Sequence, residues 1–361
     1  LIKMDRSVKV KRLQSPSKGR TICISDIHGN LNIYKKLLNK VKYQPGIDRL
    51  MLLGDLVEKG EKNLETLHFV MNQAKHEDVH VIMGNCDFIC KNVLFAYRLD
   101  FLKDVLLQRK QSLIHEMANQ IGISLDINTD MSWYTHEIRK HFLDELCFCN
   151  DLPHVIDTDS HIYAHAAIMN ETTFGDDFRE VMTTHFFLNK NMHFHKKVIV
   201  GHLPVTEYCH SIASFDPIYD GSTNVYSIDG GNVVKKAGQL NALIFDKNIV
   251  NVESVDELPE VEVIETVLEH NQIPLFVTWN TSQIKVLKTT SKQSLVYNSF
   301  LNRTFWVENE FIQDFKATDY TNYQIPLTKG ETVKLVCLYQ DKAQVKKNGV
   351  LGWTYQKNLK I

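Results

Sequence analysis

No apolar stretch in this 361-residue chain approaches the roughly 20 residues that a membrane-spanning helix needs. The first residues also lack the apolar core of a signal peptide, so a cytoplasmic, soluble protein is expected, with no membrane partner. Paired cysteines are missing as well. The seven cysteines contain no Cys-x-x-Cys spacing, and Cys147 and Cys149 are separated by one residue only. That excludes a structural zinc site or disulfide framework as the expectation and fits free thiols in a reducing compartment. Nor does one sign of charge dominate: 41 Lys and Arg against 43 Asp and Glu leave a formal net charge of −2, which argues against nucleic acid as an obligate partner. Internal repeats and low-complexity tracts are absent too.

What is there is a chain long enough to bury a substantial core, 43% hydrophobic, and long enough for one large and one small domain. Five short apolar runs each end in a metal-ligand residue type: Ile22 to His28 with Asp26, Leu50 to Asp55, Val79 to Asn85, Ile162 to His165, and Val198 to His202. Such runs, closed by glycine or a small polar residue, read as buried strands, and open α/β sheets bind ligands beyond the carboxyl ends of their strands. Six candidate ligands are therefore expected on one edge of one sheet. Their mixture of oxygen and nitrogen donors suits borderline divalent ions such as manganese, iron or zinc. Asp26 and His28 can face one ion, and Asp55 can bridge two. A pair of ions roughly 3.5–4 Å apart serves in-line displacement at phosphorus, so phosphate ester hydrolysis is the leading expectation.

At these residues the chain resembles the calcineurin-like metallophosphoesterases, which share Asp-x-His, Gly-Asp, Gly-Asn, His and Gly-His in this order. The resemblance spans about residues 20–246. It implies an α/β fold, a four-layer α/β/β/α metallophosphatase sandwich with a helical insertion. Asp26-Ile27-His28-Gly29-Asn30 and Gly54-Asp55-Leu56-Val57-Glu58-Lys59-Gly60 are similar to the phosphoprotein phosphatase branch. The run from Asn224 to Gly231, followed by Leu240 to Leu243, is similar to the tail of its bacterial members, symmetrical dinucleoside tetraphosphatases among them. In the small phosphodiesterases a second histidine follows Gly-His; here Gly201-His202-Leu203-Pro204 has proline instead. The resemblance implies that Asp26, His28 and Asp55 hold the first ion and Asp55, Asn85, His165 and His202 the second, with manganese expected first. It makes Lys59 the replacement for an arginine that grips the substrate phosphate, keeping the charge but losing the bidentate fork. Glu58 stands where the family has the aspartate that orients a catalytic histidine.

That histidine is missing, because the motif reads Gly84-Asn85-Cys86-Asp87, a form that some phosphodiesterase relatives also carry. Loss of a positioned general acid removes roughly 10²- to 10⁴-fold in rate. The loss is largest for basic alkoxide leaving groups and smallest for phenols and phosphoanhydrides. Cys86 stands in the vacant role, and a histidine from elsewhere in the chain, or Asp87, is the candidate substitute. Cys86 is not expected to act as a nucleophile, since no Cys-x5-Arg cradle follows it. A dinuclear-metal phosphatase acting on serine, threonine or tyrosine phosphoproteins, by attack of metal-activated water, is the first functional expectation. A dinucleoside polyphosphate hydrolase or phosphodiesterase is the alternative, and a non-catalytic phosphoprotein-binding scaffold is the alternative from another class.

Elsewhere the reading is plainer. Residues 1–19 form a basic arm, with Lys3, Arg6, Lys9, Lys11, Arg12 and Lys18, expected to be a solvated tail. Within a catalytic domain over 20–250, helical periodicity from Phe88 to Gln120 and from Trp133 to Cys149 marks an insertion at about 88–160. Its Arg98, Arg109, Lys110, Arg139 and Lys140 are expected on exposed faces, one of them alternatively on phosphate. Arg179 is a candidate second phosphate clamp, beside Lys59 and Asn85. His193-Phe194-His195 is expected in a solvated loop, Asp229 in a tight turn bordering the site, and Asn30 near a helix cap. Seven acidic residues between Glu253 and Glu269, with no Lys or Arg, suggest a connecting segment over 251–271. The remainder, 272–361, is β-rich. Its end, 325–361, resembles the last strands of bacterial Src-homology-three-like barrels, which implies a targeting or substrate-presenting module with a protein or peptide ligand.

Overall fold

Short runs such as Thr21-Ile22-Cys23-Ile24 are buried at every position, the pattern of a parallel strand covered on both faces. A computed structural model describes residues 4–16, 18–268 and 272–361. Lys3 and Glu269 lie outside the described residues. The chain divides into two units, Leu1–Leu203 with Pro217–Asp256, and Pro204–Asp216 with Glu257–Ile361.

The strands of the first unit are β1 (Val10–Arg12), β2 (Thr21–Ile24), β3 (Arg49–Leu52), β4 (Val79–Val81), β5 (Val155–Asp157), β6 (His161–Ala164), β7 (Lys197–Val200), β8 (Ile218–Asp220), β9 (Val225–Ser227), β10 (Leu240–Asp246) and β11 (Ile249–Val255). Its helices are α1 (Leu31–Lys40), α2 (Asn63–His76), α3 (Ile89–Leu94), α4 (Leu99–Gln108), α5 (Leu113–Gln120), α6 (Met131–His141), α7 (Leu143–Asp151) and α8 (Phe178–Thr183). One sheet runs β11-β10-β2-β3-β4 and the other β1-β5-β6-β7-β9-β8. β2, β3 and β4 are parallel, as are β6, β7 and β9. The sheets share a core: Cys23, Met51, Leu53 and Ile82 from the first meet Ile156, Tyr163, Ile199 and Tyr226 from the second. Helix α1 covers β10 and β11 and α2 covers β4, giving the metallophosphatase α/β sandwich. Among the described residues no helix is long and apolar enough to cross a membrane.

The six ligand positions therefore follow strands of two sheets, not one. Asp26 and His28 follow β2, Asp55 follows β3 and Asn85 follows β4, while His165 and His202 follow β6 and β7. Two sheets packed face to face bring their strand ends together as effectively as neighbours in a single sheet. The basic arm also differs from a solvated tail. β1 adds a parallel edge strand to β5, and Arg6 pairs with Asp177 at 2.6 Å while Arg12 pairs with Asp157. The insertion is five short helices, α3 to α7, rather than two long ones, and the stretch 88–160 also contains β5. The acidic segment is not a bare connection. β11 reaches Val255 as the hairpin partner of β10, and Glu260–Val263 forms β12.

In the second unit β12 joins β16 (Thr332–Tyr339), β17 (Lys342–Lys347), β18 (Val350–Tyr355) and β19 (Leu359–Lys360), in the order β18-β17-β16-β12-β19. β13 (Lys285–Thr289), β14 (Gln293–Asn298) and β15 (Arg303–Glu308) form a separate three-stranded sheet. Each sheet has its own core, around Val263, Val333 and Val345 in one case and Val277, Val296 and Val307 in the other.

Because Ile199 is fully buried where the two sheets of the first unit meet, Ile199→Ala is expected to cost about 2–5 kcal/mol. Urea unfolding reads this as a lower midpoint, and an unchanged midpoint would mean that the sheets do not share a packed core.

Candidate metal centre

Sharp turns follow each ligand-bearing strand. Asp26 (φ 58°), His28 (φ 50°), Asp55 (φ 51°) and His202 (φ 72°) all occupy the left-handed region, which non-glycine residues seldom adopt and which concentrates at functional sites. Neighbouring turns hold them there. The Asp26 amide donates to Gly54 O at 3.1 Å, that of His28 to Asp55 O at 2.9 Å, and that of Gly201 to His165 O at 2.8 Å. Two motif glycines owe their identity to crowding. A Cβ on Gly84 would lie 2.2 Å from Asp55 Oδ1, and one on Gly201 would lie 2.4 Å from Asp26 Oδ2.

The donors converge. His28 Nε2 lies 3.8 Å from Asp26 Oδ1 and 3.9 Å from Asp55 Oδ2, and His165 Nε2 lies 3.5 Å from Asp55 Oδ1. Two donors about 2.1 Å from a common ion sit about 3.0–4.2 Å apart, so these separations fit shared coordination. The His165 ring donates Nδ1–H to Leu53 O at 2.7 Å. In the neutral ring this aims the Nε2 lone pair at Asn85 Oδ1, 3.0 Å away. His202 Nδ1 is 2.9 Å from the same oxygen. Donor atoms of His165, His202 and Asn85 thus meet at one point, where a cation would find all three. Burial lowers the His28 imidazole to about 4 and that of His202 to about 3, so both are neutral and able to ligate.

The carboxylates make the same demand. Asp26 and Asp55 are buried, and burial together with the Asp55 charge pushes the Asp26 carboxyl well above its ordinary value. Asp26 Oδ2 accepts from Ser25 Oγ and from the His202 amide, whereas Oδ1 is buried without a hydrogen-bond partner. His28 Nδ1 and His202 Nε2 are in the same condition. Unsatisfied buried polar atoms are costly, and a divalent cation would satisfy the Asp26 oxygen. The residues fit the two-ion set that the resemblance implies.

The structure brings Cys86, Asp87, Glu58 and Lys59 to this centre but assigns them different surroundings. Asp87 Oδ2 accepts the amides of Asp55 and Gly84 at 2.8 and 2.9 Å, and Oδ1 those of Leu56 and Val57 at 2.9 and 3.3 Å. Burial pushes its carboxyl up to about 7, yet both oxygens face amide donors and tie the Asp55 turn to the Gly84 turn. Glu58 is fully buried. It accepts from Arg109 Nη1 at 2.7 Å, Ser112 Oγ at 2.9 Å and the Leu113 amide at 2.7 Å, so it orients an arginine where the family orients a histidine. The Cys86 Sγ lies within 4.8 Å of ligand atoms of His28 and Asp55. Burial, with the Asp55 charge adding, holds its thiol well above the ordinary value. For Lys59 partial desolvation opposes the ammonium, but nearby negative charge, Asp55 included, outweighs it and raises the group.

Other candidates fall further out. Arg179 is exposed on α8, on the wall of a cleft that also includes Asn85, Cys86, Arg98 and Arg109. Arg139 donates to Val93 O at 2.6 Å inside the insertion. His195 is exposed and bound to Glu171. Asp229 accepts the Gly231 amide in a turn, and Asn30 caps α1 by accepting from the Ile33 amide. Sequence reasoning missed the Glu58–Arg109 pair; the departure from the family's aspartate at position 58 was the one signal available, since a longer side chain reaches a different partner.

A family model described as calcineurin-like phosphoesterase matches residues 19–229, more than half of the chain. Among curated proteins, a symmetrical bis(5'-nucleosyl)-tetraphosphatase of Pseudomonas fluorescens (strain Pf0-1) is 36% identical over 90 residues, 24% of this chain and 30% of its own length. One of the same name from Marinomonas sp. (strain MWYL1) is 34% identical over 126 residues, 35% of this chain and 41% of its own length. The chain thus spans less than half the length of these relatives. A crystal structure described as a putative diadenosine tetraphosphatase superposes with a TM-score of 0.44 at 17% identity, covering 68% of this chain and 98% of that one.

Replacing Asp87 by Asn puts an amide NH₂ against backbone N–H donors. Asp87→Asn is expected to weaken manganese binding by about 10- to 100-fold, the usual cost of losing a group that orients ligands, as measured by calorimetric titration. Unchanged affinity combined with a rate loss confined to substrates with basic leaving groups would instead make Asp87 the general acid.

Proposed function

The chain belongs to the calcineurin-like phosphoesterases, and within that family we propose that it hydrolyses phosphoanhydrides of the dinucleoside polyphosphate type. It is a metal-dependent phosphoesterase; the substrate class is the inference. In this reading Asp26, His28 and Asp55 hold one divalent ion and Asp55, Asn85, His165 and His202 a second, with manganese first on the mixed donor set. When bound, such ions supply charge neutralisation at phosphorus and an activated water. The protein's own part is to hold His165 in one tautomer through Leu53 O, to keep His28 and His202 neutral by burial, and to place the Lys59 ammonium beside the site as a point charge on the phosphate.

The observation that carries the substrate class is the environment of Cys86. The side chain next to Asn85 is a buried thiol and not the imidazole that serves as proton donor in the family pattern. Glu58, engaged by Arg109, Ser112 and Leu113, is not available to activate a donor. Asp87 has both oxygens on amides. A serine alkoxide departs badly without a proton, whereas a phosphate leaving from an anhydride is a weak base and departs without one. Protein serine/threonine phosphatase activity, the first expectation, therefore ranks below anhydride hydrolysis. The printed names of the curated relatives support the same order, over the part of their length that this chain matches.

Manganese-loaded protein tested side by side on diadenosine tetraphosphate, p-nitrophenyl phosphate, bis-p-nitrophenyl phosphate and phosphoseryl and phosphotyrosyl peptides is expected to show the highest kcat/KM for the tetraphosphate and the lowest for phosphoserine. Asp55→Asn should fall to background on all of them. Cys86→His is expected to raise turnover of alkyl phosphates more than that of aryl phosphates or anhydrides, with roughly 10²-fold as the lower end of what a positioned acid supplies. A preference for phosphoserine would overturn the substrate assignment, and wild-type rates equal to those of Asp55→Asn would favour a scaffold.

A further inference from the structure

The cleft beside the metal loop has a chemistry that the hydrolytic centre does not use. It encloses about 260 Å³, and Asn85 and Cys86 are among the residues that line it. A substrate whose scissile phosphorus lies at the metals, and whose leaving group lies on the Cys86 side, extends into it. Arg6, Arg98, Arg109 and Arg179 line the cleft, and no Asp or Glu is among the lining residues. Arg109 is committed to Glu58 at 2.7 Å and Arg6 to Asp177 at 2.6 Å. Arg98 and Arg179 are exposed. Four arginines on the wall of one small space, two of them paired with carboxylates that are not among its lining residues, offer planar, multidentate donors suited to phosphate oxygens on a wall otherwise mostly apolar and aromatic.

The positive charge exceeds what a phosphate monoester requires. Once two divalent ions and Lys59 have met the scissile phosphate, a monoester has no further anionic oxygen to offer the cleft. A polyphosphate chain has one charge or more at each successive phosphate. The outer end of the cleft adds an aromatic element. Phe101 is 49% exposed, and the Arg98 guanidinium lies over its ring, 4.8 Å from the centroid. Guanidinium planes and aromatic faces are the surfaces on which nucleobases stack. Arg98 itself takes a left-handed conformation (φ 52°) at the start of α4. Phe178, also on the cleft wall, packs on Phe88 and lies under Arg6, and Tyr97 lines the cleft as well.

We propose that this cleft binds the leaving nucleotide of a nucleoside polyphosphate, its phosphates on Arg109, Arg98 and Arg179 and its base stacked on the Phe101–Arg98 surface. The assignment rests on the anhydride reading above and deepens it. It makes Phe101 a specificity-determining residue of the insertion, separate from the metal chemistry. It also predicts that the leaving nucleoside phosphate binds as product to the metal-loaded protein.

Binding separates this proposal from the hydrolytic one. Isothermal titration of the manganese-loaded full chain with ADP and with pyrophosphate is expected to show ADP binding at least about tenfold more tightly, the lower range of a stacked base. Phe101→Ala, a surface change, should reduce that ratio to below about threefold. Arg98→Ala combined with Arg179→Ala should weaken both ligands. In turnover, Phe101→Ala should raise KM for diadenosine tetraphosphate relative to that for inorganic tetrapolyphosphate. Equal affinity for ADP and pyrophosphate in the wild type, or an unchanged ratio in Phe101→Ala, would overturn the nucleotide site. A ratio that shifts for a phosphotyrosyl peptide against phosphate, but not for ADP against pyrophosphate, would overturn it in favour of a peptide cleft. If ADP binds as expected while diadenosine tetraphosphate is not hydrolysed, the cleft stands and the anhydride assignment falls.

Discussion

Two carboxylates, those of Asp26 and Asp55, lie buried together at the end of adjacent strands. Burying like charges side by side is strongly unfavourable unless cations compensate, and this constraint organises the whole centre. It acts alongside the burial that keeps the imidazoles of His28 and His202 neutral and able to ligate, although the Asp55 charge favours their protonated forms. It accounts for the left-handed backbone at Asp26, His28, Asp55 and His202, which turns the donors inward. It also accounts for Gly84 and Gly201, where any side chain would displace one of the two carboxylates. The sheets serve the same end, since packing Cys23 and Met51 against Tyr163 and Ile199 brings four strand ends of different sheets to one place.

Around that centre the chain has been rewired rather than merely reduced. The histidine and aspartate of the family pattern are replaced by Cys86 and Glu58. The longer glutamate no longer faces the residue beside Asn85 but takes Arg109 from the insertion. Glu58 thereby holds a permanent cation on the wall of the cleft. In the function proposed above, weak acid assistance at Cys86 and anion recognition at Arg109 go together. Both favour a substrate that carries many negative charges and leaves as a weak base.

Much of the centre was legible in the sequence because its elements are local. An apolar run of four residues followed by glycine and a ligand identifies a buried strand and its carboxyl end, and five such runs announce a dinuclear site. Asp87 was legible only as a carboxylate, and its four amide partners come from turns around Gly54 and Gly84. The basic arm read as solvent-exposed because charge predominates in it. Its pairing with β5 depends on main-chain hydrogen bonds, which any side chain permits. The acidic run likewise read as a connection, although β11 and β12 carry their glutamates on exposed faces of two different sheets.

What the sequence by itself determined is which donor-bearing residue types stand at the strand ends and in what order, since each follows from a few consecutive residues. Only the tertiary structure decided which sheet each donor belongs to and which charge answers which. Glu58 and Arg109 are separated by 51 positions. Arg6, Arg98 and Arg179 come from an edge arm, a helical insertion and a short helix, yet share one cleft. The reason is physical: coordination chemistry is set by residue type, whereas the fields that select a substrate arise from groups that folding brings together across the chain.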